Sequence, residues 1–452
     1  MNPNHNHLAS ALLRLANEAV SRAPVAAAKS SSHGITTPFS TASQSDWAEA
    51  VRLWNENGSH LIAGLAKRPC PACGQNDARS LFQSYDRYTF VECIPCGCWY
   101  VPQKVEAELF ERFFSETPKA VEVMQRTLEG RRTEASRLSN LERIGAYLDQ
   151  LIPLLSGTSG LRYLDMGCGL GQSLEAAQAR GLQASGVESS RECITIASQA
   201  GLQVCHVSDN GLRQQKFNLI SFWESLEHMV EPAAVLQDCL QHMAPNSLLA
   251  FTVPNQNSPP VRSQRGDCSV VNGGYDTPGH INLFNPETIE RLLDRSGYTL
   301  LALDGQYGLD LSELISYFLG KQRGAYDLLQ GRAVQSGLTE ENHSLLRAIG
   351  PAYALLERIT LTAPILFGFA CRKGDAGHFA SAVAQYKNKR RNQLLEQIDQ
   401  MSPMPGDVAL LQHQLTEAEG RIHLLEDELR VARNPLRRLV RFVRKTLNPP
   451  KS

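Results

Sequence analysis

Between residues 161 and 253, short runs of apolar and β-branched residues alternate with stretches whose apolar positions fall three and four apart. The runs are Leu161–Asp165, Gln183–Glu188, Gln203–Val207, Phe217–Phe222 and Ser247–Val253; Ser173–Arg180 and Ala233–Met243 carry the longer period. Runs this short suit buried strands, and the longer period suits helices lying over them. The alternation therefore predicts an α/β fold with a doubly wound, Rossmann-like parallel sheet covered on both faces. Tyr298–Leu303 and Ile365–Cys371 read as the last two strands. The helical stretch between them, about 309–359, then becomes an insertion over the sheet's end, where substrate covers are often built. A helical pattern from Gln103 to Leu154 gives a linker over 103–144 and opens a domain spanning 145–373.

The flanks differ in character. Residues 1–45 are rich in Ser, Ala, Asn and His and read as a poorly ordered arm. After a helical linker at 374–406, the positions Val408, Leu411, Leu415, Ala418, Ile422, Leu425, Leu429 and Ala432 form a heptad seam. A short coiled coil over 407–433 is expected, and with it self-association; one helix folded back on the enzyme fits the same pattern. Asn434-Pro435 then starts a tail, 434–452, whose apolar stripe faces Arg437, Arg438, Arg441, Arg444 and Lys445. Such a tail suits an anionic membrane surface, and equally an acidic protein partner.

Composition narrows the classes. The chain has 452 residues, 42% of them hydrophobic and 20% charged, enough for a sizeable core. Its 45 Lys and Arg against 46 Asp and Glu give a net charge of −1, which argues against general nucleic-acid binding. No apolar run approaches the roughly 20 residues that cross a bilayer, and the first residues lack the basic-then-apolar pattern of an export signal. The eleven cysteines are odd in number, and four of them sit in two Cys-x-x-Cys pairs. A reducing, cytoplasmic setting with free thiols and one metal site is expected, with peripheral contact at the inner membrane surface through the basic tail.

That metal site is Cys70-Pro-Ala-Cys73 with Cys93-Ile-Pro-Cys96, nineteen residues apart, in a zinc-ribbon module over 46–102. Two such knuckles present four thiolates to one tetrahedral Zn2+ ion, and a shell closed by four sulfurs is structural. Four unliganded core thiols are the bland alternative. Gly74 and Gly97 follow the second cysteine of each pair, where the backbone needs positive φ. Cys98, one residue past the knuckle, is expected to point away. Lys67, Arg68, Arg79 and Arg87 read as flanking charges offset by Asp77, Asp86 and Glu92.

The sequence Leu161-Arg-Tyr-Leu-Asp-Met-Gly-Cys-Gly-Leu-Gly171 is a strand, an acid at its end, then alternate glycines before a helix. Gly167, Gly169 and Gly171 allow close backbone approach by a ligand at the helix N-terminus. Gln172 breaks Gly-x-Gly-x-x-Gly, against a dinucleotide site. Glu188 at the next strand's end can accept from ribose hydroxyls. Asp209 either accepts from an adenine amino group or caps a turn.

With these residues the chain resembles the class I S-adenosylmethionine-dependent methyltransferases, through Leu164–Gly171, Glu188 and Phe217–Glu224. Glu224-Ser-Leu-Glu-His-Met-Val-Glu-Pro232 and Gly279-His-Ile-Asn-Leu-Phe284 are similar to the ubiquinone-biosynthesis O-methyltransferase subgroup, and the knuckles followed by Trp99-Tyr-Val-Pro102 to methyltransferases of sugar and polysaccharide pathways. The resemblance implies S-adenosyl-L-methionine as cofactor, with Asp165, Gly167, Cys168, Gly169, Gly171, Glu188, Asp209 and Trp223 as candidate contacts. It also implies O-methylation of a sugar, glycan or other small-molecule acceptor. Asn218 stands where the family usually has an acid. No Asp/Asn-Pro-Pro-Tyr follows the fourth strand, and Pro254-Asn255 closes the fifth without a nucleophilic cysteine, which disfavours methylation of nucleic-acid bases.

Transfer from a sulfonium methyl needs in-line placement of the acceptor and removal of its proton. His228, just past the fourth strand, is the first candidate base, with Glu227 or Glu224 orienting it or binding a sugar hydroxyl. His280, in a Gly/Asp/Pro-rich loop suited to a lid, is the second. Each histidine has a plain packing or capping alternative. An RNA methyltransferase guided by the ribbon, and an inactive scaffold, are the competing readings.

Overall fold

The computed structural model describes residues 49–400 except 50–51, 85–86, 107–108, 110–111, 114–115, 156–159, 210–214, 259–260, 263–278 and 307–353. Pro24–Leu394 form one compact unit; in the other, Met1–Ala23 with Leu395–Ser452, only residues 395–400 are described. The expected arm, most of the insertion at 309–359, the loop before Gly279, the coiled coil and the basic tail lie outside the described residues.

The central layer is a seven-stranded sheet. Its strands are β4 (Arg162–Met166), β5 (Gln183–Glu188), β6 (Gln203–His206), β7 (Phe217–Trp223), β8 (Met243–Pro254), β10 (Tyr298–Gln306) and β11 (Ile365–Arg372), in the order β10-β11-β8-β7-β4-β5-β6. From β6 to β8 all neighbours are parallel, but β11 runs antiparallel to both β8 and β10. The doubly wound parallel sheet expected from the sequence is present from β6 to β8, and the antiparallel β11 makes the whole sheet mixed. Burial patterns cannot show direction, because a strand buried on both faces is apolar throughout in either sense.

Helices cover both faces. These are α1 (Pro118–Arg131), α2 (Glu134–Leu151), α3 (Gln172–Gln178), α4 (Arg191–Gln199), α5 (Pro232–His242), α6 (Pro286–Arg295) and α7 (Ala376–Gln400). Thr133 caps α2 by accepting from Ser136 N, and Ile144, Tyr147, Leu148 and Leu151 then fall on one buried face. They join Tyr163, Leu219, Ala250, Phe367 and Phe369 in one core cluster. Opposite it, Leu236 and Cys239 of α5 pack with Ile289, Leu292 and Leu293 of α6 and with Phe222 and Phe251. Asn285 and Thr288 form a reciprocal capping box, with Pro286 in the first turn, which fixes where α6 starts. Among the described residues, no helix is long and apolar enough to cross a membrane.

A second, smaller sheet bears directly on the site. The hairpin β1 (Ala78–Gln83) and β2 (Thr89–Cys93) continues into β3 (Trp99–Tyr100), which pairs with β9 (Asn282–Leu283). The Cys-rich segment therefore does not stand alone: its last strand is completed by residues nearly two hundred positions downstream. Trp99, Phe90 and Val101 share a core with Val230, Ile281 and Leu283.

Candidate active site

Strand order reverses between β4 and β7, which opens a crevice at their C-terminal ends, where open α/β sheets bind ligands. The loop Gly167–Gly171 leaves β4 there, with all three glycines at positive φ. A Cβ on Gly171 would run into Leu202, whereas one on Gly169 would meet nothing within 4 Å. Gly171 thus serves helix packing, and Gly169 faces open space. Glu188 lies beside it and accepts from Gly169 N at 2.7 Å, with its other oxygen taking Ser189 N and Ser190 N. The open cradle and adjacent carboxylate fit a ligand with ribose hydroxyls. Asp209 accepts from His206 N at 3.1 Å, the turn role, and is exposed just past β6.

Three candidate contacts stand differently from the sequence reading. Asp165 is buried, and its two oxygens accept from the hydroxyls of Ser173 and Ser221. It braces the glycine loop against α3 from beneath. Burial pushes its carboxyl up to about 6, against the pull of those two hydroxyls. Cys168 turns its sulfur toward Gly186 and is buried, leaving its backbone as the part near the loop's open side. Trp223 is consumed by the core: its ring stacks 5.2 Å from Tyr147, and Nε1 donates to Tyr163 Oη at 2.8 Å. Side chains alternate along a strand, and Trp223 falls on the α2 side of β7.

At the end of β7 the chain turns sharply. Glu224 takes φ of 54°, a left-handed conformation rare for a residue with a Cβ, and its N donates to Thr252 O. A 3-10 turn, Leu226–His228, follows. Glu227 is fully buried, and Oε1 lies 3.7 Å from Nε2 of buried His280. The His280 ring meets that of exposed His228 edge-on, with centroids 4.6 Å apart. Of the two carboxylates that could orient His228 or bind a sugar hydroxyl, Glu227 is the one grouped with both histidines, the three running from interior to surface as Glu227, His280 and His228. Donor atoms of the three lie within 4.8 Å of one another, close enough to share a cation. Gly279 closes against the His228 ring, so a Cβ there would touch Nδ1 at 2.8 Å. Glu224 pairs with Arg143 of α2 at 3.3 Å.

The four cysteines converge as the spacing implied. Cys70 and Cys96 sulfurs lie 3.6 Å apart, and those of Cys73 and Cys93 3.4 Å. A tetrahedral Zn2+ with bonds of about 2.3 Å has sulfur edges of roughly 3.8 Å, so the set fits the ion. Gly74 and Gly97 have φ of 76° and 79°. Hydrogen bonds from Cys96 and Cys98 drive the Cys70 thiol to about 2, and burial raises Cys93 to about 12. A divalent cation at the centre of the four sulfurs would favour the thiolate form of all four. Cys98 stands outside this set of four but not turned away from it: its thiol bonds to Cys70 and also lies 3.7 Å from Leu283 O.

The sequence reading missed the buried polar residues between this ribbon and the histidines. Arg68, taken for a surface charge, is 4% exposed and remains a cation, its pKa lowered by burial to about 10. Asn282 and Gln256 are fully buried. Gln256 bridges Gly97 O and Trp99 N, tying the end of β8 to the second knuckle. Only Asn282 carried a sequence signal, the Gly-His-Ile-Asn stretch.

Residues 137–303 match the family model described as a methyltransferase domain. The chain carries an S-adenosylmethionine-dependent methyltransferase domain. The ubiquinone biosynthesis O-methyltransferase of Photobacterium profundum is 25% identical over 209 residues, 41% of this chain and 87% of that protein. That of Paracidovorax citrulli is 30% identical over 126 residues, 26% of this chain and 51% of its own length. The chain spans about half the length of several such relatives. Among solved structures, a SAM-dependent methyltransferase from Archaeoglobus fulgidus is 22% identical, covering 51% of this chain and 93% of that one with a TM-score of 0.34. The family match covers the crevice from α2 to β10, so the glycine loop, Glu188, Glu227, His228 and His280 all lie inside the methyltransferase domain.

Proposed function

We propose that this methyltransferase transfers a methyl group to a hydroxyl of a sugar, a polysaccharide-linked glycan or another small-molecule acceptor. The observation that carries the reading is the line Glu227, His280, His228, which leads from a buried carboxylate to an exposed imidazole at the mouth of the crevice. When bound, S-adenosyl-L-methionine supplies a methyl group already activated for attack. The cradle beside Gly169 would give it room, Glu188 would accept from its ribose hydroxyls, and Asp209 would be the candidate acceptor for its adenine amino group. His228 takes the acceptor's proton, since imidazole titrates near neutrality. His280 holds that ring, and Glu227 stabilises positive charge passing inward. Zn2+ on Cys70, Cys73, Cys93 and Cys96 has a structural part, because four thiolates leave no open coordination position. The names of relatives such as the ubiquinone biosynthesis O-methyltransferases support a hydroxyl acceptor, and the absence of base-methylation motifs weighs against RNA.

The test is to incubate the chain with methyl-labelled cofactor and a fractionated cell extract, and to ask whether label enters glycan, lipid, RNA or small molecules. Label in glycan or small-molecule fractions, stable to amine-cleaving but not ether-cleaving conditions, is expected. Replacing His228 with Ala should lower that labelling about a hundredfold or more while cofactor affinity persists. Label in RNA, or full activity in the His228 variant, would overturn the reading.

A further inference from the structure

Arg68 sits two residues before the first cysteine, yet its guanidinium serves the other side of the interface. Nε donates to Val101 O at 2.9 Å, Nη1 to Val230 O at 2.7 Å, and Nη2 to Ile281 O at 2.9 Å and Asn282 Oδ1 at 2.8 Å. Asn282, held by that last bond, turns its amide to the carbonyls of Leu226, Glu227 and Met229 at 3.2, 3.2 and 2.7 Å. Ile281 N adds a bond to Glu227 O at 3.0 Å, and Val101 N one to Ile281 O at 2.9 Å. The 3-10 turn meets Leu226 O from within, through Met229 N at 3.3 Å, and any buried carbonyl left without a donor would destabilise the turn and the residues after it. Four carbonyls in the turn and just past it, at 226, 227, 229 and 230, are met by Arg68, Ile281 and Asn282. The same contacts fix the segment that begins with His280.

We propose that Arg68 is a positioning residue, which locks the turn carrying Glu227 and His228 against the segment carrying His280 and so makes the zinc ribbon the mount of the reacting end. The assignment rests on the methyl-transfer reading of that end. A planar fork is needed because the four acceptors lie in different directions around one centre. A lysine offers its donors from a single nitrogen and cannot reach all of them. The cofactor cradle, built by β4, β5 and α3, shares none of these bonds.

The experiment compares Arg68→Lys, Asn282→Ser and a ribbon control, Arg79→Ala, in the full zinc-loaded chain; Arg79 lies on the exposed edge of β1 and pairs with Glu92. Zinc content, cofactor affinity by calorimetry, amide hydrogen exchange, and labelled methyl transfer into the accepting extract fraction at saturating cofactor are measured. Arg68→Lys should keep its zinc and cofactor affinity within about twofold, speed exchange over 226–230 and 280–283, and lower turnover about tenfold or more with little change in cofactor KM. Asn282→Ser should reproduce the pattern, and Arg79→Ala should show none of it. Unchanged exchange, faster exchange with full turnover, or an equal loss in Arg79→Ala would overturn the proposal. Should Arg68→Lys fail to fold, Asn282→Ser decides: full turnover there overturns the proposal as well. A wild-type chain that binds cofactor but labels no fraction would end the methyl-transfer reading, while the exchange data would still show whether Arg68 holds the two segments.

Discussion

Asp165 illustrates how one residue's surroundings set its chemistry. Its carboxyl, raised to about 6 by burial, stays protonated in the folded chain at pH values where the unfolded chain has already lost that proton. Between the unfolded value near 4 and the folded value, the native state thus binds more protons, and stability falls as pH rises through this window. The loss is on the order of 2–3 kcal/mol, complete above the folded pKa. Asp165→Asn should flatten the decline in melting temperature between pH 4 and 7, and a variant with the wild-type slope would assign that dependence to another group. Gly169 poses a separate question, binding against fold. A Cβ there meets no protein atom but must adopt φ of 54°, so Gly169→Val should cost about 1–2 kcal/mol of stability. Its side chain would fill the cradle, and calorimetry should detect no cofactor binding. Glu188→Ala removes the brace on Gly169 N together with the proposed ribose contacts, and should weaken binding by about 1–3 kcal/mol. Unchanged affinity in both variants would remove the cofactor assignment from this loop.

At the scale of elements, the pairing of β3 with β9 changes what zinc loss should do. A closed thiolate shell performs no chemistry, and from the sequence alone the knuckles would unfold as a separate module. The shared sheet instead passes disorder from the second knuckle through Trp99 and Tyr100 to Asn282 and Leu283, next to His280. Cys73→Ser should therefore release the metal and lower turnover together, with cofactor affinity reduced far less, since Glu188 and the glycine loop sit on other strands. Metal analysis alongside turnover and calorimetry checks this, and a zinc-free chain with full turnover would contradict it. The placement of β11 belongs to the same scale. Its apolar run marked it as a buried strand, but its direction and its place between β8 and β10 are set by the pairing itself, in which Gln306 at the end of β10 faces Ile365 at the start of β11.

For the whole molecule, the segments beyond residue 406 bear on assembly. Eight apolar or small residues in heptad register over 408–432 and five basic residues over 437–445 motivate one prediction. Removing 407–452 should leave cofactor binding intact while abolishing self-association, seen by sedimentation, and binding to anionic vesicles. Vesicle binding by the full chain should weaken as salt rises, because exposed charges are screened. A truncated chain with the same oligomeric mass and vesicle affinity would remove both roles from this segment.

The sequence by itself determined the elements and most of the chemistry. Strand and helix periods placed β4 to β8 within a few residues, the Cys-x-x-Cys spacing brought four sulfurs to one point, and the strand-Asp-x-Gly-x-Gly-x-Gly order placed a glycine loop beside Glu188. These features are local, set by period, turn geometry and the backbone freedom of glycine. Only the tertiary structure decided which groups meet across distance. Asp165 and Trp223 proved to be supports because they are buried by neighbours on other elements. Glu227 and His228 are joined by His280, which only the fold brings from about fifty residues downstream to within 4.8 Å of both. Arg68 read as one more surface cation because nothing near it in the chain shows that carbonyls at 101, 230 and 281 surround it. Long-range burial turns an ordinary polar residue into a fixed one, and a linear pattern holds no record of which distant backbone will cover it.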